Sequence, residues 1–208
     1  MWVIKLGGSL MGKPELKSWL DKLVKYGDGK IVIVPGGGIF ADAVRDAQVK
    51  TGVDDTTAHQ MAIVAMDQYA TLMTGLNSDL VMASSELEIA ERGWQHRAVV
   101  WKPSKMVLAD KDLPTSWDLT SDSLAAWLAS KLNAQHLLIV KSIPFGHIKK
   151  NDVENLTLDG VVDPYFGEYS TGKSFKSWLV SKSEFININQ VISHLSSPMI
   201  GVEIVAGS

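Results

Sequence analysis

The apolar positions of this chain switch repeatedly between two patterns. Val3-Ile4-Lys5-Leu6, Ile31-Val32-Ile33-Val34 and Leu137-Leu138-Ile139-Val140 are short, nearly continuous apolar runs. Runs of this length, bounded by turn residues, read as buried strands. Between them the spacing changes to three and four. Leu16, Leu20, Leu23 and Val24 predict a helix from about Pro14 to Lys25, with Pro14 suited to a first helical turn. Ala41, Val44 and Ala47 predict one from about Phe40 to Val49, and Met61, Val64, Ala65, Gln68 and Leu72 a long one from Thr56 to Met73. Further strands are expected at Leu80-Val81-Met82-Ala83 and Ala98-Val99-Val100-Trp101, around a shorter helix near Ser85 to Arg92. A helix follows over Leu119 to Leu132. After Lys141 the pattern weakens. Residues 144–175 carry Pro144, Gly146, Gly160, Pro164, Gly167 and Gly172, and read as a long loop region of the kind used for lids. Phe185-Ile186-Asn187-Ile188 and Val202-Glu203-Ile204-Val205 read as closing strands. Strands alternating with helices give an α/β fold, with helices on both faces of a mainly parallel sheet. Ligands of such sheets collect at the carboxyl ends of the strands.

Composition narrows the class. The 208 residues are 46% hydrophobic, enough for one sizeable core, so a single domain over 1–208 is expected. A formal net charge of −3 argues against a general nucleic-acid binder. No apolar run approaches the roughly 18 residues that span a bilayer, so no membrane partner is expected. The start, Met1-Trp2-Val3-Ile4-Lys5, lacks the basic and long apolar regions of a secretory signal. The chain has no cysteine, which excludes disulfides, thiolate metal sites and cysteine nucleophiles and is compatible with a cytoplasmic protein.

The candidate chemistry lies in two glycine turns. Lys5-Leu6-Gly7-Gly8-Ser9 and Pro35-Gly36-Gly37-Gly38 each join a buried strand to a helix. Glycine lets an anion approach the backbone amides closely, and amides before a helix start form an anion site. The plainer reading of either turn is a tight strand-to-helix connection, but two in one half of the chain favour phosphate binding. Lys5 can place a point charge on a transferring phosphoryl group. Its plainer reading is a strand-end lysine snorkelling to water.

These segments, with Asp118-Leu119-Thr120-Ser121-Asp122, resemble the amino-acid-kinase superfamily, which includes acetylglutamate, aspartate, uridylate and isopentenyl phosphate kinases. The resemblance covers most of 1–142 and implies a three-layer αβα sandwich, usually dimeric, that moves the γ-phosphoryl of ATP with Mg²⁺. Catalysis there is charge neutralisation and alignment. A closer resemblance, carried by Pro35–Arg45 and Ala58–Tyr69, is to the small kinases of methanofuran biosynthesis, whose acceptor is 5-(aminomethyl)-3-furanmethanol phosphate. It implies an acceptor-side half over about 1–80 and a nucleotide-side half over about 81–208, in a homo-oligomer acting on a small molecule.

The same resemblance implies the roles of individual residues. Lys5 and Asp122 are the catalytic pair, with Asp122 orienting lysines from its helix start. Its alternative role is a first-turn charge that stabilises the helix, with Thr120 or Ser121 as the cap. Gly7, Gly8 and Ser9 are expected to hold the ATP phosphates and Gly36, Gly37 and Gly38 the acceptor. His59 is expected to donate a hydrogen bond to an acceptor phosphate, and Arg45 to touch the acceptor. Lys141 departs from the family pattern, in which that strand end is acidic. Its two readings are a phosphate contact and the mark of a different nucleotide pocket. The family's glycine-glycine-methionine segment and the lysine after it are absent, and Lys173 is the candidate replacement. The five histidines show no metal-ligand spacing, so Mg²⁺ would be held largely by phosphates and water. Two rivals remain. Gly167-Glu168-Tyr169-Ser170-Thr171-Gly172-Lys173-Ser174 fits the P-loop pattern, although Pro164 precedes it where a strand should run. The departures after residue 140 also fit a non-catalytic nucleotide-binding subunit.

Overall fold

The computed structural model describes residues 1–142, 151–193 and 201–206. Its centre is a seven-stranded sheet ordered β3-β4-β2-β1-β5-β6-β7. The strands are β1 Trp2–Leu6, β2 Ile31–Pro35, β3 Val81–Ala83, β4 Val99–Trp101, β5 His136–Lys141, β6 Lys176–Ser181 and β7 Val202–Ile204. All neighbours are parallel except β6 and β7, which closes one edge antiparallel. The helices are α1 Pro14–Gly27, α2 Gly38–Thr51, α3 Asp55–Leu76, α4 Glu86–Trp94, α5 Ser104–Val107, α6 Ser121–Lys131, α7 Val153–Leu158, α8 Phe166–Ser170 and α9 Ile188–Ser193.

Side-chain alternation along the strands divides the core in two. Trp2, Ile4 and Leu6 of β1, with Leu138 and Val140 of β5, pack on one face with Leu16, Trp19, Leu20 and Leu23 of α1. Val3 of β1 and Leu137 and Ile139 of β5 face the other way, against Leu124, Ala125 and Leu128 of α6. The fully buried central strands explain why they read as continuous apolar runs. The same alternation puts Lys5 and Lys141 on the α6 face. β1 and β5 are in register Lys5↔Ile139, so both lysines emerge near the carboxyl edge.

The second half departs from the sequence expectation. Phe185–Ile188 is not a strand: a 3₁₀ turn covers Lys182–Ile186 and α9 follows. The Ser181 side chain caps that turn, the Asn187 amide donates to Glu184 at 2.9 Å, and the Trp19 indole donates to the Lys182 carbonyl at 2.8 Å. These local bonds favour a turn over a ladder. The strand in this region is β6, whose Trp-Leu-Val centre is flanked by polar residues. The described part of the expected loop, 151–175, contains α7 and α8. Residues 143–150, with His147, and residues 194–200, with His194, lie outside the described residues. The P-loop reading fails on order, because helix α8 precedes the glycine-lysine pair and strand β6, not a helix, follows Lys173. Among the described residues no helix is long and apolar enough to cross a membrane.

Candidate active site

The two glycine turns pack backbone against backbone. A Cβ on Gly8 would lie 2.3 Å from the Gly38 amide nitrogen, and one on Gly36 2.5 Å from the Gly8 nitrogen. Glycine is therefore required at both positions for the turns to touch. Gly38 adds a positive φ of 57° at the first residue of α2. Gly37 precedes it with no side-chain cap, so the first amides of a 14-residue helix are left for an outside acceptor. The other turn continues into a 3₁₀ turn over Gly8–Leu10. Ser9 Oγ lies 2.9 Å from Ser142 Oγ, tying this turn to the end of β5.

Lys5 and Lys141 converge on one carboxylate. Lys5 Nζ lies 2.8 Å from Asp122 Oδ1, and Lys141 Nζ donates to Asp122 Oδ2 at 2.6 Å. Lys5 and Asp122 are both nearly inaccessible, at 6% and 4% exposure, so a snorkelling lysine is ruled out. Burial pushes the Asp122 carboxyl upward, but the two ammonium groups outweigh it and hold it below the ordinary aspartate range. Burial and the neighbouring Lys5 charge lower Lys141, while Asp122 partly restores it. A carboxylate between two lysines is a positioning element. It prevents the ammoniums from repelling each other out of place.

The start of α6 corrects one expectation. Neither Thr120 nor Ser121 caps it with a side chain. The cap comes from Asp163, which accepts from the Thr120 amide at 3.2 Å, the Thr120 hydroxyl at 2.6 Å, the Ser123 amide at 3.0 Å and the Ser123 hydroxyl. Asp163 is a functional candidate that sequence reasoning missed. Its only signal was an aspartate before Pro164 in a segment read as loop. Asp118 is exposed and bonded to Ser116, its own neighbour in the turn.

A cavity of about 480 Å³ opens beside the turns, lined by Gly8, Ser9, Gly37 and Gly38 at one end. Arg45, His59 and Trp117 also line it. The Arg45 guanidinium lies 4.7 Å from the Trp117 ring centroid and pairs with Asp42 at 2.7 Å. The Trp117 indole donates to Gln48 at 2.8 Å, which holds the ring as a wall. Burial lowers the His59 pKa, and its Nδ1 lies 3.0 Å from the Ser116 carbonyl. A carbonyl only accepts, so Nδ1 carries the proton and the neutral ring offers Nε2 as an acceptor. The expected donation from His59 to a phosphate therefore requires a protonated ring. Lys173 is not gathered here. It is exposed and lies just before β6, whose first residue, Lys176, is level with His136 and Trp2 at the amino edge of the sheet. Lys5 sits at the opposite edge. Lys173 instead lines a smaller cleft with Thr171, Glu203 and Val205.

Comparison with known proteins gives the family. The amino acid kinase family model matches residues 1–144. The chain belongs to that family. A curated relative, the [5-(aminomethyl)furan-3-yl]methyl phosphate kinase of Methanocaldococcus jannaschii, is 30% identical over 171 residues, covering 76% of this chain and 78% of the relative. Among solved structures, uridylate kinase from Archaeoglobus fulgidus aligns with a TM-score of 0.68 at 16% identity, over 92% of this chain and 95% of that one. Aspartate kinase from Synechocystis gives 0.67 at 15% identity, over all of this chain but 40% of that longer one. These likenesses establish the amino-acid-kinase fold. With the family match and the kinase-named relative, the chain is a phosphotransferase.

Proposed function

We propose that this kinase transfers the γ-phosphoryl of ATP to [5-(aminomethyl)furan-3-yl]methyl phosphate, forming the diphosphate. The supporting observation is the Lys5–Asp122–Lys141 cluster beside two touching amide turns, with a cavity on the acceptor side sized for a small ring. The triphosphate tail lies over Gly7, Gly8 and Ser9, with Lys5 and Lys141 on its transferring group. The acceptor phosphate sits on the Gly37 and Gly38 amides at the start of α2, while Gly36 provides the close packing on Gly8. One acceptor oxygen bonds to the γ-phosphorus as the bond from that phosphorus to the β–γ bridging oxygen breaks, and ADP leaves. A phosphomonoester has its second pKa near 6, so at neutral pH the attacking oxygen is already ionised and needs no general base. Lysine charges then stabilise a transition state whose charge is spread over the phosphoryl oxygens.

Among the described residues no three His, Asp or Glu side chains converge as a metal site, and Asp122 is occupied by its lysines. The lysines and amides fit a polyphosphate, so Mg²⁺ would arrive on ATP and neutralise its charge. In the cavity, Trp117 presents a ring face for the furan and His59 Nε2 a lone pair for the aminomethyl ammonium. The acceptor side is not confined to residues 1–80, since Trp117 to Leu124 supply part of its wall. We place the kinase in the cytoplasm, where ATP is supplied, as a homo-oligomer. Met61 of α3, 40% exposed, lines a groove between α2 and α3 with Phe40, Ala43 and Val44, and Val64 is 44% exposed.

The test is ADP release against a panel: the furan monophosphate, isopentenyl phosphate, UMP, aspartate and acetylglutamate. The expected result is turnover with the furan phosphate at a kcat/KM at least a hundredfold above the others, with a diphosphate seen by phosphorus NMR. Preferential turnover of another acceptor would refute the assignment while leaving the transfer centre intact.

A further inference from the structure

Asp163 is 9% exposed and lies in a stretch anchored by buried Val161, Val162 and Phe166. Its carboxylate receives four hydrogen bonds, all from Thr120 and Ser123, the residues flanking the first turn of α6. No other donor on α6 is needed to fix that turn, and Asp122 lies inside it. Two carboxylates and two ammoniums thus form one buried group: Asp122 between Lys5 and Lys141, and Asp163 behind Asp122. A helix that needed only a cap could use the Thr120 hydroxyl itself. Here the threonine hydroxyl points away to serve as a donor to a remote aspartate.

We propose that Asp163 is the positioning residue of the transfer centre, holding the first turn of α6, and with it Asp122, in register with both lysines while balancing the second lysine's charge. The inference rests on the proposed transfer centre but not on the identity of the acceptor. Two consequences follow. Loosening the clamp lets Asp122 drift from the lysines. Removing the charge makes Lys141 easier to deprotonate, because among the described residues the titratable groups acting on Lys141 are Lys5, Asp122 and Asp163, and Asp163 favours its charged form. An asparagine keeps one oxygen for the Thr120 donors and the Ser123 amide, and its amide group can donate to the Ser123 hydroxyl, so D163N removes the charge while keeping most of the clamp.

The experiment compares Asp163→Asn with the double variant Thr120→Val/Ser123→Ala, which weakens the clamp but keeps the carboxylate. Turnover with the furan monophosphate is followed from pH 6 to 10. For D163N the expected result is a kcat at least tenfold lower with the KM for ATP within threefold, and an alkaline limb displaced downward by half a pH unit or more. The double variant should lose kcat with its alkaline limb in place. A D163N limb coincident with the parent's, or a kcat loss that disappears on cooling to where circular dichroism shows full folding, would overturn the proposal. A double variant with the parent's kcat would do the same. Should the parent not turn over the furan phosphate, the acceptor assignment alone fails. MgADP affinity by calorimetry across the same pH range then carries the test: D163N should lose affinity at a lower pH than the parent, and superimposed curves would refute the proposal.

Discussion

Replacing Asp122 by asparagine leaves the shape of the site and removes the charge between two lysines. The ammoniums lie 2.8 and 2.6 Å from opposite oxygens of that carboxylate. That places them roughly 6 Å apart, where two unit charges at an effective dielectric of about 20 repel by about 3 kcal/mol. In the parent the Asp122 carboxylate offsets this repulsion; without it, one lysine relieves the repulsion by losing its proton more readily. Lys141 is the one to yield, because burial and Lys5 already hold it below the ordinary lysine value. Loss of a preorganised charge on the phosphoryl group typically lowers kcat by about 10²–10³. The expected result for D122N is a drop of that size at pH 7.5, with the alkaline limb of kcat clearly displaced toward neutrality. ADP release followed from pH 6 to 10 reads both. A kcat within threefold of the parent and an unmoved limb would show that the carboxylate does not organise the lysines.

Lys5→Ala should lower kcat by about 10²–10³ with the fold retained by circular dichroism, because Lys141 still pairs with Asp122; a change within a few-fold would remove Lys5 from the reaction. Gly8→Ala forces a methyl to 2.3–2.4 Å from Gly38 backbone atoms. The turns must part, and a misplacement near 1 Å costs about 10²-fold in rate; parental kcat in G8A would show that the turns do not act as a pair. His59, neutral with Nε2 accepting, ionises only below the ordinary histidine range. The affinity of the parent for the aminomethyl acceptor, taken relative to His59→Gln, should be flat down to pH 6.5 and weaken below it. Strengthening on acidification would mean that a protonated His59 binds the phosphate instead. Lys173→Ala should leave kcat and the KM for ATP within twofold, because the residue lies at the far edge of the sheet; a tenfold loss would reinstate it.

The parts of the fold that could be read from the sequence are those where one force dominates. β1, β2 and β5 are buried on both faces, so their apolar runs are continuous, and glycine turns stand out at their ends. Helix positions for α1, α2 and α4 follow because apolar faces are buried at a regular spacing, whereas α6 is buried all round from Asp122 to Ala129. Beyond Lys141 the signals compete. β6 has only Trp178, Leu179 and Val180 between polar flanks, and Phe185–Ile188 is too short for periodicity to separate strand from turn. At the site, Lys5, Asp122 and the glycines could be read because strand-turn-helix order fixes where they point. Lys141 was found but its partner was not, as the shared carboxylate is a contact between β5 and α6. The Asp163 clamp spans 40 residues, and no local pattern reports it. The His59 tautomer depends on a carbonyl 57 residues away, so residue type alone suggested a donor where the neutral ring supplies an acceptor.

The most direct measurement is a crystal structure with a non-hydrolysable ATP analogue, Mg²⁺ and the furan monophosphate. The account predicts the γ-phosphoryl within hydrogen-bond reach of both Lys5 and Lys141 Nζ, and the acceptor phosphate on the Gly37 and Gly38 amides. A triphosphate seated away from these turns, for example in the cleft beside Lys173, would contradict it.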